Sequence, residues 1–243
     1  MNYFTTLMSD QESVYIRVRT LEGRIYSDDA VKRLPEVSEH DPHKQEWKIR
    51  AASLVKLRSR LLQKNAALDI LDLGCGNGWM THHLSRMEES KVIGLDVNQI
   101  ELEQATRVFR DQKNLKFIYG NLEEDIISLK SFDVIVLAAS IQYFADLKKL
   151  ITALAQLLKP SGEIHIIDSP VYHEREVAAA RKRSNDYYAK LGVPEMINFY
   201  FHHHWNELSS FSYSILNRSI PEQVALHFLR DKSLMFPWIM IKN

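Results

Sequence analysis

Between residues 68 and 168, short apolar segments alternate with longer segments whose apolar residues recur at helical spacing. The apolar segments predict five buried strands, at residues 68–73, 91–96, 115–119, 132–138 and 163–168. The segments between them predict helices that run from residue 79 toward 87, over 98–110 and over 146–158. Strands and helices that alternate at this spacing form βαβ units, so we expect an α/β fold with a doubly wound, mostly parallel, Rossmann-like sheet.

The flanking regions depart from this alternation. Residues 1–65 are polar and helix-prone, with Glu46–Leu62 as the clearest amphipathic helix, which predicts an N-terminal helical cap ahead of a main domain at 66–243. An insert at residues 169–210 follows the fifth strand and contains a charged helix near 174–191. Strand-like segments at 211–216 and 236–242 bring the predicted sheet to seven strands. Cap and insert are candidates for the walls of a substrate pocket; the alternative is that they only cover sheet edges.

Three glycines within five residues, Gly74, Gly76 and Gly78, follow the first predicted strand. Glycines this dense mark backbone that bends sharply or lets a ligand approach closely. Their G-x-G-x-G spacing differs from the dinucleotide fingerprint G-x-G-x-x-G, whose third glycine is replaced here by Trp79. Asp72, just before the turn, would repel a phosphate and attract an ammonium group. The turn therefore predicts a ligand with a positive amine and no phosphate, unless Asp72 merely caps the following helix.

Asp96 ends the second predicted strand, 20 residues after Gly76. An acid at this position of a nucleotide-binding doubly wound fold accepts hydrogen bonds from ribose hydroxyls. The alternative is an ordinary turn residue. Together with the amine predicted from Asp72, this makes the ligand a nucleoside joined to a cationic group, and S-adenosylmethionine contains both parts.

Five segments in order resemble the class I S-adenosylmethionine-dependent methyltransferases, in particular those that act on small molecules. Residues 70–78 (ILDLGCGNG) look like the family's first motif, and residues 94–98 (GLDVN) like its ribose-binding acidic motif. Residues 120–122 resemble the loop that holds adenine, residues 132–143 contain a segment similar to the fourth motif, and residues 157–163 resemble the turn before the fifth strand. The resemblance covers roughly residues 68–168 and implies S-adenosylmethionine as the cofactor.

The resemblance also implies cofactor contacts, residue by residue. These fall on Asp72, Gly74, Cys75, Gly76, Asp96, Val97, Asn121, Leu122, Ala138 and Gln142. Asn121 stands where many members carry Asp, and an amide can still pair with the adenine edge. Gln142 and Tyr143 stand where many members carry two histidines.

Candidate catalytic residues follow from position. Tyr143 comes after the fourth strand and His173 after the fifth, at the carboxyl edge where doubly wound folds bind ligands. Either is a candidate base or orienting group for an acceptor that is protonated at neutral pH, as is one of the histidines 202–204. In the N-terminal region Arg50 is a candidate partner for the methionine carboxylate, with Tyr26 and Trp47 closing over the same end.

Charge and composition narrow the class of partner. Lys plus Arg and Asp plus Glu both number 31, so the formal net charge of zero gives no reason to expect a nucleic acid or an anionic membrane surface as partner. No apolar run is long enough for a membrane-spanning helix, and the single cysteine excludes a disulfide framework and a C-x-x-C metal site. Consecutive histidines cannot all face one ion, so we expect no metal. These features are typical of a cytoplasmic enzyme with a small-molecule acceptor.

Two other functions remain open at this point, and one motif is set aside. A non-catalytic protein that binds the cofactor or a partner would have a blocked acceptor pocket. An NAD(P)-dependent oxidoreductase is disfavoured by Trp79 and Asp72. Residues 168–172 (DSPVY) superficially resemble the D-P-P-Y element of amino-methylating nucleic-acid enzymes, but they lack the second proline and follow strand five instead of strand four.

Overall fold

A computed structural model of the chain describes residues 10–122, 132–217 and 236–242. Its helices are α1 (Asp10–Leu21), α2 (Asp28–Arg33), α3 (Lys44–Leu62), α4 (Trp79–Ser85), α5 (Gln99–Val108), α6 (Leu147–Gln156) and α7 (Glu174–Leu191). Its strands are β1 (Asp69–Leu73), β2 (Lys91–Asp96), β3 (Leu115–Tyr119), β4 (Phe132–Ala138), β5 (Leu158–Ile167), β6 (Tyr213–Ile215) and β7 (Ile239–Lys242).

The strands form one sheet in the order β3-β2-β1-β4-β5-β7-β6. Strands β1 to β5 pair in parallel, whereas β7 runs antiparallel to both β5 and β6. In β1, Leu71 lies between Ile93 of β2 and Ile135 of β4. Chain order reverses between β1 and β4, which is where a doubly wound sheet opens a crevice at the carboxyl ends of its strands. The predicted fold class is confirmed.

The central strands are apolar throughout because helices cover both faces of the sheet. On one face, Ile135 and Leu137 of β4 pack with α6 residues such as Ile151. On the other face, Val134 and Val136 of β4 pack with side chains of α3 and α4. Four residues of α3 are buried in this second core, Trp47, Leu54, Leu57 and Leu61.

The predicted division into a cap at 1–65 and a main domain at 66–243 stays a prediction.

Several predicted boundaries differ from those of the structure. β5 begins at Leu158 instead of residue 163, because Leu158 already pairs with Phe132 and a register irregularity accommodates the intervening turn, in which Ser161 has φ +66°. α6 accordingly ends at Gln156 instead of residue 158. The strand-like tail segments contribute only three and four residues to β6 and β7, of which β6 is the edge strand.

The N-terminal helix α1 and the insert meet above the carboxyl edge of the sheet. Val14 and Val18 of α1 share a small apolar core with Tyr188 of α7 and with Val193 and Met196, which follow it. The backbone of Tyr172 pairs with His203 and His204, so the insert folds back beside the end of β5. This packing gives the crevice a roof.

Candidate active site

The three glycines form a left-handed turn between β1 and α4. Gly74, Gly76 and Gly78 have φ values of +74°, +53° and +74°, which favour glycine. A Cβ on Gly74 would stand 2.5 Å from Ser140 Cβ, and one on Gly78 would stand 2.5 Å from the Phe117 ring. Side chains are thus excluded by space as well as by conformation, and the backbone of the turn borders the crevice directly.

Asp72 is buried at the floor of this turn and does not cap the helix. Only 1% of its surface is exposed, and its Oδ2 accepts a hydrogen bond of 2.7 Å from Thr81 Oγ1, whereas Gly78 is the N-cap of α4. Burial raises the pKa of Asp72 to about 7, against the hydrogen bond from Thr81, which lowers it. A buried carboxylate without a cation is costly, so the site favours a positively charged ligand group.

Asp96 organises the other side of the turn. Its Oδ2 accepts a hydrogen bond of 2.7 Å from the Gly76 N–H, and its Oδ1 accepts one of 2.8 Å from the Asn98 N–H. Burial raises the pKa of Asp96 to about 6, and the negative charge of Glu101 adds to the rise. Each oxygen keeps a lone pair for a further donor, so the carboxylate can bind a pair of ribose hydroxyls.

A cavity of about 1080 Å³ opens at the carboxyl ends of β1 to β5. Its volume is slightly above the range of about 300–1,000 Å³ that is usual for small-molecule sites. All the predicted cofactor residues line it: Arg50, Asp72, Gly74, Cys75, Gly76, Asp96, Val97, Asn121, Leu122, Ala138 and Gln142. The glycine turn and the two carboxylates at one end fit the adenosine and amine parts of S-adenosylmethionine, and the other end has room for an acceptor.

Tyr143 lines the cavity as predicted. Its ring packs edge-on against Tyr15 at 5.3 Å and against Tyr200 at 5.9 Å between centroids. Burial raises the pKa of its hydroxyl, so Tyr143 is protonated at neutral pH. The geometry therefore suits a hydrogen-bond donor that orients the acceptor better than it suits a base.

None of the candidate histidines lines the described cavity. His173 is an exposed residue at the start of α7, where its backbone N–H donates to Glu176. The side chain of His202 lies 2.8 Å from Ser184 Oγ, behind the cavity wall. His203 is buried with Nε2 2.9 Å from the Ile141 carbonyl oxygen, and so it joins the insert to the loop that carries Tyr143.

Arg50 faces the cavity from α3, held by its own helix. Its guanidinium pairs with Glu46 one turn earlier at 2.8 Å and lies over the Trp47 ring at 5.2 Å from the centroid. Trp47 in turn donates from Nε1 to the Tyr26 hydroxyl at 2.7 Å, so Tyr26 supports Trp47 from outside the cavity. Arg50 thus lines the cavity with Glu46 as its ion-pair partner, and its pairing with the methionine carboxylate stays a prediction.

Several cavity residues escaped prediction because they lie outside the recognisable motifs. From α1 come Tyr15, Val18 and Arg19, whose spacing places them on one helix face. From α7 and the segment after it come Tyr188 and Tyr200, and the end of β5 adds Asp168, Pro170 and Tyr172. The only sequence signal was the aromatic run near residue 200, because contacts between distant segments leave no local pattern.

Comparison with known proteins gives this fold and site a family. A family model described as a methyltransferase domain matches residues 64–219, well over half of the chain. The chain belongs to this methyltransferase-domain family. Membership confirms the resemblance drawn from the motifs, supports S-adenosylmethionine as the cofactor, and decides against an NAD(P)-dependent oxidoreductase.

Named methyltransferases are similar over part of their length. The chain is 33% identical over 97 residues to malonyl-[acyl-carrier protein] O-methyltransferase of Halalkalibacterium halodurans, covering 38% of this chain and 36% of that protein. It is 26% identical over 134 residues to the ubiquinone/menaquinone biosynthesis C-methyltransferase UbiE of Wigglesworthia glossinidia brevipalpis, covering 53% and 52%. The chain thus spans about a third to a half of the length of the curated relatives it matches.

Solved methyltransferase structures share the fold over almost the whole chain. A putative sarcosine dimethylglycine methyltransferase from Galdieria sulphuraria matches with a TM-score of 0.59 at 14% identity, covering 96% of this chain and 97% of that one. Geranyl diphosphate C-methyltransferase from Streptomyces coelicolor, solved with S-adenosyl-L-homocysteine, matches with a TM-score of 0.55 at 15% identity, covering 96% and 98%. At these identities the likeness concerns the fold alone.

Two further features of the described residues concern a membrane and a metal ion as partners. No helix there combines the length and apolar character needed to cross a membrane. Within the same residues, no group of three or more His, Cys, Asp and Glu side chains is placed to hold a metal ion.

Proposed function

We propose that this methyltransferase-family chain transfers the methyl group of S-adenosylmethionine to a small-molecule acceptor. The observation that carries the proposal is the glycine turn with two carboxylates beside it, the buried Asp72 and the half-buried Asp96, in a cavity large enough for a second molecule. An open acceptor end also speaks against a non-catalytic binding protein, whose pocket would be blocked. The zero net charge supports an acceptor other than a nucleic acid, and a cytoplasmic location is part of the proposal.

The chain's own residues act mainly by binding and positioning. When bound, the cofactor supplies a methyl group on a sulfonium and leaves as a neutral thioether, so the chemistry itself is the cofactor's. Asp96 would hold the ribose, Asp72 the amine and Arg50 the carboxylate of the methionine part. Tyr143 would orient the acceptor, and the roof of α1 and α7 would exclude water. Holding two reactants in line at about 3–3.5 Å provides most of the rate enhancement.

Calorimetric titration with S-adenosylmethionine, S-adenosylhomocysteine and NADH in parallel tests the cofactor site. Both adenosyl ligands are expected to bind, and Asp96→Ala is expected to weaken them by roughly 10- to 100-fold, since each lost charge-assisted hydrogen bond is worth about 1.5–3 kcal/mol. Asp111→Ala, at a side chain that is 92% exposed, is the matched control and should bind normally. Binding of NADH alone would overturn the proposal.

A further inference from the structure

The acceptor end of the cavity contains one carboxylate whose second oxygen has no hydrogen-bond partner in the described chain. Asp168 follows β5, on the far side of β4 from the glycine turn and Asp96. Ser53 Oγ on α3 donates to its Oδ1 at 2.6 Å. Its Oδ2 is buried and lacks a partner among the described residues, although Asp168 lines the cavity. A buried carboxylate oxygen without a donor is costly, so this one calls for a ligand that supplies one.

The backbone conformation of Asp168 is also typical of a functional site. Its φ of +54° lies in the left-handed region, which is unfavourable for a residue other than glycine. Strain of this kind costs on the order of 1–3 kcal/mol and persists mainly at functional sites. In Asp168 this backbone strain occurs together with a side chain whose Oδ1 is held by Ser53 and whose Oδ2 is left for a ligand.

Of the three carboxylates on this wall of the cavity, two already have a guanidinium within ion-pair distance. On this wall Glu22 and Glu46 both pair with Arg24, at 2.8 and 2.5 Å, and Glu46 also pairs with Arg50. The two guanidiniums therefore already have carboxylate partners. Asp168 is the third carboxylate of the group, and its nearest described donor is the neutral Ser53 hydroxyl. A cationic ligand group would complement the Asp168 carboxylate, whose described hydrogen-bond partner is a neutral hydroxyl.

Aromatic rings also line the cavity that contains Asp168. They form a chain of edge-on contacts that we call the tyrosine wall, made of Tyr15, Tyr143, Tyr188 and Tyr200. Burial raises the pKa of both the Asp168 carboxyl and the Tyr143 hydroxyl, and the Arg50 guanidinium opposes the rise at each. Asp168, Arg50 and the tyrosine wall all line the same cavity. Tyrosine faces attract cations, most strongly where water is excluded.

We infer that the methyl acceptor is an amine, bound as its ammonium ion between Asp168 Oδ2 and the tyrosine wall. This inference rests on the proposed function. The ammonium donates to Oδ2, and transfer of one proton to that oxygen leaves a neutral amine with a free electron pair. The nitrogen then gains the methyl group as the carbon–sulfur bond breaks with its electron pair kept by sulfur. The product is a methylated ammonium ion, and the proton on Asp168 returns to solvent.

Matched neutral and charged probes test the inference on protein saturated with S-adenosylhomocysteine. Benzylamine is expected to bind saturably in calorimetry, and benzyl alcohol, of the same shape without the charge, to bind at least roughly tenfold more weakly. Asp168→Asn should remove this preference for benzylamine and leave the affinity for S-adenosylhomocysteine unchanged. Asp111→Asn is the control that removes an equal charge from the surface and should preserve the preference.

The outcomes separate this inference from the proposed function. Equal binding of the two probes, or no saturable binding of benzylamine to the wild-type protein, would overturn the amine acceptor while S-adenosylhomocysteine binding upholds the cofactor site. Loss of S-adenosylhomocysteine affinity in Asp168→Asn would make Asp168 a cofactor residue and also overturn it. If Asp168→Asn does not fold, Ser53→Ala replaces it, since losing the anchor of Oδ1 should weaken benzylamine alone.

Discussion

At the scale of single residues, Asp72 shows a conflict between stability and function. Its pKa of about 7 lies well above the ordinary value near 3.8, so the folded protein keeps the proton over a range in which the unfolded chain has lost it. The stability from this group is complete below about pH 4 and is lost as the pH rises through 7. At neutral pH and above, the protein therefore retains a buried charge that only its ligand can balance.

Replacing Asp72 by Asn should accordingly stabilise the protein while impairing its site. Asn can still accept the hydrogen bond from Thr81, so we expect the free energy of unfolding at pH 8 to rise on the order of 1–3 kcal/mol, because one pKa unit corresponds to about 1.4 kcal/mol. Urea unfolding should show little gain at pH 4, and calorimetry should show weaker S-adenosylmethionine binding. Destabilisation at both pH values would mean that the carboxylate itself supports the fold.

At the scale of elements, α1 is fastened over the cofactor end through α5. Tyr15 and Arg19 both donate to the buried carboxylate of Glu101 at 3.3 Å, and Glu12 accepts from the first N–H of α5 at 2.8 Å. The Arg19 side chain is largely buried, and Glu101 is its only described carboxylate within ion-pair distance. Removing the partner of a buried charge costs more stability than removing a surface partner. These contacts, and the small core shared with α7, are what hold the roof in place.

The variant Glu101→Gln tests this fastening with little change in shape. Hydrogen exchange of the α1 amides is expected to speed up roughly tenfold or more, since leaving a buried charged donor poorly paired costs at least 1–3 kcal/mol. Amides of β1 and β4 should exchange as before, because their cores do not involve α1. Glu103→Gln, at an acid of α5 that accepts from the Gln99 side chain, is the control. Similar exchange in the two variants would refute the fastening.

At the scale of the whole molecule, a polar network joins the beginning, middle and end of the chain. Glu163 on β5 is 5% exposed and pairs with Arg60 and Lys64 at the end of α3. It also accepts from His165 Nε2 at 3.3 Å, while His165 Nδ1 accepts from Trp238 Nε1 at 3.0 Å. The indole N–H can only donate, so the neutral imidazole carries its proton on Nε2.

Glu163→Gln should therefore weaken the whole fold in a pH-dependent way. The hydrogen bond from His165 and the charge of Lys64 lower the pKa of Glu163 to about 2, so its stabilising effect is present above about pH 4.5 and is lost as the pH falls toward 2. We expect a loss of roughly 3 kcal/mol in free energy of unfolding at pH 7, the scale for removing one partner of a buried pair. Urea unfolding should show that the difference from wild type shrinks by pH 3. A constant difference would contradict the ionic role.

The sequence predicted the cofactor end far better than the acceptor end. Asp72 and the glycines lie in one strand–turn–helix unit and Asp96 ends the next strand; of these, Asp72, Gly74, Gly76 and Asp96 line the cavity. His173, in contrast, is the exposed N-cap of α7 and does not line the cavity, because position after a strand does not fix the direction of a side chain. Asp168 was passed over with its DSPVY segment, since nothing local shows that Ser53, over a hundred residues earlier, anchors one of its oxygens.

The amino-acid pattern by itself determined the order of strands and helices, the doubly wound class and the ligand-binding turn, because these follow from periodicity and from backbone conformations that only glycine adopts. Tertiary structure alone decided that α1, α3 and the insert converge on one cavity, which carboxylates have cations beside them, and which pKa values are raised. Those properties depend on burial and on distances between segments remote in sequence. They therefore come into existence only when the chain has packed.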